Sequence, residues 1–517
     1  MIASGWPSER VEGSSRMDPR VGVYRDARLS AYDVPPPFHP ARGFPEYPYG
    51  HNSESNSVYD GVRSLFRLLG LDAAHYGTRD WSPLSGIINP GDRVVVKPNW
   101  VLHCHRRGGS LDCIITHGSV VRAVVDFVLI ALRGKGTVTI GDAPLQSAEF
   151  CELQRASGME EVAAYYRLHA GVPVQVVDFR RERAVSDCDG VLVRHDAVRG
   201  DPAGYSVVNL EERSLLAGVD AGCHRLRVPN YDPQVMRAHH NNRKHEYLIA
   251  GSVLAADVVI SIPKLKTHCK AGITCCLKNL VGINGSKDWL PHHRRGSSAR
   301  GGDEYLSPSL LKSVFAEISE YQDATRAAPM RRLAQFARAL LHYAIRLTAK
   351  DQCHEGGWFG NDTIWRTVVD LNRALLYATP EGALRDAPQR QTFFVVDGIV
   401  AGEGEGPLAA TRKPCGLLLG GFAAPAVDAV AARIMGFDFR RIPLIREAFK
   451  VTDLPLSDFG PDKIQIRCND PDFDGIQITQ PGPSLAFEPA SGWRGNIELR
   501  APGTSGCREN GSSGRDC

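Results

Sequence analysis

Short apolar runs alternate with longer amphipathic stretches through the first half of this chain. Residues 93–97, 136–140 and 172–177 are runs of strand length that are rich in β-branched side chains. Residues 120–132 and 149–169, which lie between them, have the apolar spacing of helices. This order predicts an α/β fold with a mostly parallel, Rossmann-like sheet, because parallel strands need a crossover connection such as a helix.

The later part of the chain extends this pattern. We predict further strands at residues 258–262, 391–396, 416–419, 464–467 and 476–479, and further helices at residues 60–69, 271–281, 330–350 and 426–435. Six segments follow from these elements: a disordered or extended N-terminal segment (1–55), the first part of the α/β core (56–296), a mainly helical insertion (297–390), the second part of the core (391–445), a small C-terminal β appendage (446–501) and a disordered tail (502–517).

Composition narrows the classes of function. The 517 residues are 43% hydrophobic, enough for a substantial core, and the net charge of +3 argues against a dedicated nucleic-acid binder. The N-terminus lacks the apolar core of a signal peptide. Arg122 and Asp126 interrupt the most apolar helix, which is too short to span a membrane. The sequence therefore predicts a soluble, cytoplasmic protein without a transmembrane segment.

Several familiar sequence motifs are absent. The thirteen cysteines are scattered and odd in number, which argues against a disulfide framework. The chain has no CxxC pair, no ferredoxin-type cysteine run, and no GxSxG, Walker A, HExxH or dinucleotide-binding motif. These absences weaken hydrolase, NTPase, zinc-peptidase and simple dehydrogenase interpretations.

Positive charge is concentrated between residues 257 and 295, although the whole chain is nearly neutral. This stretch contains two aspartates and ten basic residues: Lys264, Lys266, His268, Lys270, Lys278, Lys287, His292, His293, Arg294 and Arg295. Lys264, Lys266 and His268 project to one side if the chain stays extended past the strand at 258–262, because strand side chains alternate.

The predicted helix at 271–281 would continue this basic surface. Lys270, Thr274 and Lys278 fall four residues apart, on one helical face, and Gly282 is the predicted stop of the helix. The C-terminal end of a strand and the N-terminus of a following helix both favour anions. The stretch therefore predicts an anion clamp, and the alternative is a solvated basic surface loop.

Polar residues also follow the other predicted strands. Lys97 and Asn99 could orient an anionic or carbonyl group, and the alternative is a strand end with a turn-forming Pro-Asn pair. Asp142 could serve base chemistry or cap a helix. Asp397, Glu403 and Asp428 could hold a divalent cation such as Mg²⁺, with a flexible acidic loop and a helix cap as the alternatives.

Two predicted helical stretches each have a structural and a functional interpretation. Asp362, Arg366 and Asp370 lie at successive i,i+4 positions and form either a solvated ion-pair ladder or a pocket wall. The helix at 330–350 has an apolar face and several arginines. An ordinary packed helix is the first interpretation of it, and peripheral contact with a membrane is the second.

The segments IPKLKTH, AGIT and LKNLVG within 262–282 resemble the core motif of the domain-of-unknown-function family 362. The other segments that resemble the family are VVVKPNWV (94–101), Thr116-His117, Gly141-Asp142, VVDGIVAGEGEGP (395–407) and AVDAVAARIMGFD (426–438), so that the resemblance spans residues 90–440. The chemistry of this family is not established, and ferredoxin-type cluster domains in some relatives imply redox work. Residues 286–297 and 356–377 resemble a sub-branch found among polysaccharide-assembly genes.

Together these patterns predict an enzyme acting on a phosphate- or carboxylate-bearing small molecule, in polysaccharide or specialised-metabolite assembly. A metal- or iron–sulfur-linked redox protein and a non-catalytic ligand-binding or assembly factor are the alternatives. No cofactor is identified, although a divalent metal ion would fit more readily than an iron–sulfur cluster. The predicted catalytic residues are Lys264, Lys266, Asp142 and Asp397. The predicted ligand-binding residues are Lys97, Asn99, His268, Gly272, Lys278, Asn279, Asp362 and Arg366.

Overall fold

The computed structural model describes residues 17–32, 34–49, 55–186, 192–219, 225–325, 327–348 and 353–499. The predicted disordered tail at 502–517 lies outside the described residues, as do residues 1–16, 33 and 50–54 of the predicted N-terminal segment. The domain boundaries proposed from the sequence stay predictions.

A sheet of ten strands forms the centre of the described part of the chain. Its strands are β1 (Arg20–Arg25), β2 (Arg93–Pro98), β3 (Thr137–Asp142), β4 (Val174–Asp178), β10 (Val258–Ile262), β11 (Lys264–His268), β12 (Gly272–Thr274), β14 (Gln391–Glu405), β15 (Ala409–Gly421) and β16 (Gln465–Cys468). The main path runs β16-β1-β15-β14-β10-β2-β3-β4, and all pairs from β14 to β4 are parallel. The predicted mostly parallel α/β fold is confirmed.

Helices cover both faces of this sheet. The helices are α1 (Ser57–Leu68), α2 (Gly118–Leu132), α3 (Phe150–Ala156), α4 (Met159–His169), α5 (Pro233–His239), α6 (Gly251–Leu254), α7 (Cys276–Asn279), α8 (Leu310–Ala324), α9 (Ala328–Thr348), α10 (Ile364–Tyr377), α11 (Ala424–Met435) and α12 (Pro443–Ala448). Three two-stranded sheets lie apart from the main one: β5 (Glu182–Ser186) with β6 (Leu192–Ala197), β7 (Tyr205–Asn209) with β9 (Glu246–Ala250), and β8 (Leu226–Arg227) with β13 (His293–Arg294).

Successive side chains of the central strands point to opposite faces of the sheet, and so they pack in different hydrophobic cores. Val94 and Val96 of β2 pack in the core beneath α1 and α2, whereas Val95 packs in a core on the other face. In β14, Phe393 packs with the first core and Phe394 packs with α10 and α11. Both sheet faces are therefore buried, as parallel sheets require.

Helix α2 contains a buried ion pair. Arg122 and Asp126, which interrupt its apolar sequence, are buried one helical turn apart and form an ion pair at 3.0 Å. Among the described residues, no helix combines the length and hydropathy needed to cross a membrane.

Three local predictions are wrong. The helix predicted at 149–169 is two helices, because the chain turns at Gly158 with a φ of 69°. The strand predicted at 476–479 is not a strand, and β16 instead pairs in parallel with β1 at the edge of the main sheet. The helix predicted at 271–281 is replaced by strand β12 and the four-residue helix α7.

The third correction matters most for the site. Gly272, with a φ of 81°, allows β12 to fold back antiparallel onto β11, so that Thr274 lies opposite Lys266. Lys270, Thr274 and Lys278 consequently do not share a helical face. A four-residue helix also cannot supply the helix-terminal anion site expected from the sequence.

The order of the strands defines a switch point. From β2 the chain continues outward through β3 and β4, whereas β10 and β14 lie on the other side of β2. In open α/β sheets ligands bind at the C-terminal ends of the strands where the order reverses in this way. Lys97 and Ser261, which are register partners near the ends of β2 and β10, mark this position.

Candidate functional site

Lys97 is a buried cation at the switch point. Its Nζ donates to Asp142 Oδ1 at 2.8 Å, to Asn279 Oδ1 at 3.0 Å and to Pro98 O at 2.8 Å. These three bonds use all the donors of the ammonium group. Burial lowers the pKa of Lys97, and the Asp142 carboxylate partly offsets that effect.

Asn279 and Asp142 join the strand ends around Lys97. Asn279 Nδ2 donates to Ser261 Oγ at 2.9 Å and to the Lys97 carbonyl at 3.2 Å. Asp142 Oδ2 accepts from the Trp100 N–H at 2.6 Å. A Cβ at Gly282 would lie 1.8 Å from Asp142 Oδ1, so that only glycine fits beside this ion pair. Lys97, Asp142 and Asn279 therefore form a closed polar network.

Asn99 lies at the edge of that network. Its Nδ2 donates to Asn279 Oδ1 at 3.1 Å, and its backbone N–H donates to Thr116 Oγ1 at 2.8 Å. Among the described residues, its buried Oδ1 has no hydrogen-bond partner. Asn99 thus has hydrogen-bonding capacity that the fold does not use.

A second buried ion pair joins β11 and β14. Lys264 Nζ donates to Asp397 Oδ2 at 2.8 Å and to Tyr32 OH at 2.7 Å, and Tyr32 OH donates to Asp397 Oδ1 at 2.6 Å. The His117 N–H adds a bond to Asp397 Oδ2 at 3.0 Å. Both oxygens of Asp397 are therefore occupied by protein donors.

Adjacent residues connect the two ion-pair networks. Thr116 Oγ1 accepts from Asn99 and donates to the Ile262 carbonyl at 2.7 Å, and the next backbone N–H, of His117, reaches Asp397. The His117 ring stacks on Tyr32 with centroids 4.0 Å apart, and burial lowers the pKa of His117 to about 4. The strand ends of β2, β10 and β14 are in this way held in one hydrogen-bonded frame.

Beside this frame lies a group of basic side chains, which we call the basic cluster. It consists of Lys266, His268, Lys270, Lys278, Lys287 and His292. All six are buried or half-buried. In the part of the chain that the structure describes, none of the four lysines forms an ion pair with a carboxylate.

Lys278 lies at the centre of the basic cluster. Burial lowers the pKa of its ammonium to about 8. Burial is also the main reason for the lowered pKa values of Lys266, His268, Lys287 and His292, and the charge of Lys278 contributes to each of them. Although the residue is only 8% exposed, Lys278 has no side-chain hydrogen bond among the described residues.

The other lysines of the cluster have carbonyl partners. Lys266 donates to Ile114 O, Lys270 to Glu355 O, and Lys287 to Val281 O at 3.0 Å. A carbonyl does not neutralise the positive charge, and nearby carboxylates offset the effect of burial only in part, Glu355 for Lys270 and Asp142 for Lys287. Burial accordingly lowers the pKa of Lys287 to about 7, and that of Lys266 well below its ordinary value with a further contribution from the charge of Lys264.

The two histidines each have one nitrogen free. His268 Nδ1 accepts from the Lys270 and Ala271 N–H groups at 3.0 and 3.2 Å, so that the neutral ring holds its proton on Nε2. His292 Nδ1 lies 2.7 Å from Leu290 O and donates to it. In both rings Nε2 makes no hydrogen bond among the described residues. Thr274 Oγ1, opposite Lys266, is a further buried polar atom for which the described part of the chain supplies no hydrogen-bond partner.

The three carboxylates predicted as metal ligands are not brought together. Asp397 is paired with Lys264, Glu403 Oε2 lies 2.7 Å from Lys413 Nζ, and Asp428 accepts from the Cys276 and Leu277 N–H groups. Within the described ranges, a single group of three ligand-type side chains has its atoms within 4.8 Å of one another: Cys275, Cys276 and Asp428. Burial raises the pKa of Asp428 to about 6 and that of Cys275 to about 11, which favours the protonated forms.

The predicted ion-pair ladder on α10 forms only in part. Asp362 and Arg366 pair at 3.1 Å, and Asp362 also pairs with Arg294. Asp370 instead binds Arg373 and Ser214 in the interior. Asp362 and Arg366 make no hydrogen bond to the basic cluster.

Of the remaining predicted residues, Lys97, Asn99, Asp142 and Asn279 meet in one network, and Lys264 and Asp397 meet in the other. Lys266, His268 and Lys278 lie in the basic cluster, and Gly272 begins β12 directly after the turn that follows β11. The sequence interpretation missed Tyr32, Ser261, Lys287 and His292 as site residues. Lys287 and His292 belong to the conspicuous basic stretch, whereas no local pattern marks Tyr32.

Comparisons with known proteins show which family this chain resembles. A family model described as domain of unknown function (DUF362) matches residues 94–201 and 212–433. A thylakoid-associated protein of Synechocystis sp. is 27% identical over 267 residues, which are 52% of this chain and 58% of that protein. A crystal structure of a Thermotoga maritima protein aligns with a TM-score of 0.26 at 11% identity, over 72% of this chain and 58% of that one. This chain thus spans less than two thirds of each relative, and the structural likeness is too low to support an argument.

Proposed function

We propose that this chain, which belongs to the DUF362 family, binds a phosphate- or carboxylate-bearing small molecule in its basic cluster and acts on it as an enzyme. The observation that supports the proposal is the combination of four buried or half-buried lysines with no carboxylate partner among the described residues. Buried charges are costly unless they are paired. A bound anion would supply the missing counter-charge.

Lys278 is the proposed primary contact of the anion. It is buried, its pKa is lowered to about 8, and its Nζ makes no hydrogen bond within the described residues, so its three donors are available. His268 could add its Nε2–H, and Lys287 could add a second charge once protonated. Anion binding would in turn raise the pKa values of these groups, because an opposite charge favours the protonated form.

Lys266 is the proposed general base. Burial and the neighbouring charge of Lys264 lower its pKa well below the ordinary value, which favours the neutral amine. A neutral amine next to a bound anion can accept a proton from the ligand. Lys264, Asp142 and Asp397, which the sequence also marked as catalytic, have their polar atoms occupied by protein partners, and we assign them to positioning.

The binding proposal can be tested by calorimetric titration of the purified full chain with pyrophosphate and, separately, with citrate. We expect one of these anions to bind. Lys278→Met should weaken that binding roughly ten- to hundredfold, because a charge-assisted hydrogen bond is worth about 1.5–3 kcal/mol.

Lys413→Met is the matched control. Lys413 is another partly buried lysine of the main sheet, but it already pairs with Glu403 at 2.7 Å. Its replacement should leave the affinity unchanged. Equal affinities of the wild-type chain and the Lys278 variant would overturn the assignment of the site.

A measurement of turnover distinguishes an enzyme from a protein that only binds the anion. A chain that binds an anion tightly, but converts none of a panel of phosphorylated and carboxylated metabolites, would be a ligand-binding or assembly factor instead. Sugar nucleotides belong in that panel, because residues 286–297 and 356–377 resemble a polysaccharide-assembly sub-branch.

A metal-linked redox protein is the second candidate function. The group of Cys275, Cys276 and Asp428 favours it, since thiolate and carboxylate are both metal-ligand types. Against it, both oxygens of Asp428 accept backbone N–H groups, at 2.7 and 3.1 Å. Metal analysis and a visible spectrum of anaerobically purified protein decide between the two: stoichiometric metal that Cys275→Ser removes would favour the redox function.

We also propose that the chain works in the cytoplasm. Eight of the described cysteines carry free thiols: Cys104, Cys113, Cys151, Cys269, Cys275, Cys276, Cys415 and Cys468. A reducing compartment keeps thiols in this state. Thiol titration of protein isolated from its native cells under alkylating conditions would test the proposal.

A further inference from the structure

Helix α9 exposes an apolar stripe. The sequence favoured an ordinary packed helix here, yet Leu333, Phe336, Leu340, Tyr343 and Leu347 are between 56% and 68% exposed. These positions recur every three or four residues. At 100° per residue, they define a stripe about 80° wide along most of the helix.

The other side of α9 is already used by the fold. Ala334 and Ile345, which lie roughly opposite the stripe, are buried, and α9 packs against α8. The fold therefore fixes the helix in an orientation that directs its large apolar side chains to the outside. Transferring such side chains from water is worth about 1.5–3 kcal/mol each, so the exposed stripe is a strong driving force for association.

The charge of this region indicates the kind of surface that the stripe contacts. Residues 325–350 contain six lysines and arginines and no aspartate or glutamate. Arg332 and Arg346 are exposed beside one edge of the stripe. An apolar face with aromatic residues, flanked by basic residues and free of acids, is the pattern of helices that lie in the interface of anionic membranes.

We propose that α9 rests on an anionic membrane surface, with its stripe inserted among the lipids and its arginines at the headgroups. A second copy of this chain is a poorer occupant, because two α9 helices packed face to face would bring like-charged arginines together and α9 carries no acidic residue of its own. This proposal is independent of the basic cluster, which lies on a different part of the chain. Failure of anion binding would leave it intact.

The experiment is co-sedimentation of the full chain with vesicles of phosphatidylcholine alone and of phosphatidylcholine with about 30% phosphatidylglycerol. We expect the chain to bind the anionic vesicles at least about tenfold more strongly, and the difference to shrink at about 1 M salt. The variant Phe336→Ser/Leu340→Ser should lose at least about tenfold in binding, because it removes apolar surface that would enter the lipid. Arg346→Glu should weaken the binding to anionic vesicles only.

Leu168→Ser is the control, since Leu168 is 80% exposed on α4, away from the stripe. It should bind like the wild-type chain. All of these residues are exposed, and unchanged circular dichroism would show that the variants fold. Equal sedimentation with both kinds of vesicle, or equal binding by the Phe336/Leu340 variant, would overturn the proposal. A concentration-dependent dimer that this variant abolishes would assign the stripe to a second copy and would also overturn it.

Discussion

Two groups of buried lysines lie side by side in this protein and differ in their partners. Lys97 and Lys264 each pair with an aspartate at 2.8 Å. Lys266, Lys278 and Lys287 are also buried, but they have carbonyl partners or none within the described residues. The comparison teaches that burial alone does not indicate what a lysine does. The presence or absence of a carboxylate partner does indicate it.

The physical consequence differs between the two groups. In the paired group, an aspartate offsets the cost of burying each lysine, in part for Lys97, and the ion pairs hold the strand ends together. In the basic cluster, the desolvation penalty appears as a lowered pKa, to about 8 for Lys278 and about 7 for Lys287. We infer that the paired lysines stabilise the strand ends and that the lysines of the basic cluster bind the ligand.

The largest expected effect is on stability in the paired group. Lys97→Met should lower the free energy of unfolding by about 3–5 kcal/mol, because it leaves the Asp142 carboxylate buried without its counter-charge. Urea denaturation measures this loss. The double variant Lys97→Met/Asp142→Asn should recover part of it. A loss below about 1 kcal/mol would mean that the ion pair does not fasten the frame.

In the basic cluster the same kind of change should have the opposite sign. The Lys287 pKa is about 7 in the folded chain and about 10.4 in an unfolded one, so that below pH 10 the unfolded chain binds more protons. The ligand-free protein should therefore gain stability from pH 7 to pH 10. Lys287→Met should stabilise it by about 1–4 kcal/mol at pH 7 and flatten that rise.

This second prediction is checked by urea titrations at several pH values. The Lys413→Met variant serves as the reference, since Lys413 keeps a carboxylate partner in the folded chain. Destabilisation by Lys287→Met as large as that by Lys97→Met would remove the distinction between the two groups.

The pH dependence of anion binding gives a smaller but more direct contrast. Lys278 and Lys287 bind an anion best when protonated, and their pKa values are about 8 and about 7. The affinity should fall at least about tenfold between pH 7 and pH 9. Calorimetry should show proton uptake on binding. In Lys278→Met/Lys287→Met the residual affinity should no longer depend on pH in this range, and an unchanged pH profile would argue against these two lysines.

The smallest effect is expected at the predicted ladder on α10. Asp362 pairs with Arg294 and Arg366, but its side chain is 43% exposed. Asp362→Asn should change the free energy of unfolding by at most about 1 kcal/mol, because exposed ion pairs contribute little. Anion affinity should not change. A large loss of affinity would extend the ligand site to α10 and revise the comparison.

Much of the frame could be predicted from local pattern. The strands β2, β3 and β10 follow from runs of β-branched residues, and the positions of Lys97, Asp142 and Lys264 at strand ends follow with them. The segment from 271 to 281 shows the limit of such reasoning. Its composition is compatible with a helix, but Gly272 turns the chain back into a hairpin against β11, and pairing with that strand decides its structure.

The sequence by itself determined the α/β class, the concentration of basic residues between 257 and 295, and their place after a buried strand. The tertiary structure alone decided which lysines receive an aspartate, because those partners come from strands β3 and β14, which are distant in sequence. It also decided that the apolar stripe of α9 is exposed. A hydrophobic pattern predicts which face of a helix is apolar, but only the packing of the whole chain decides whether another element covers that face.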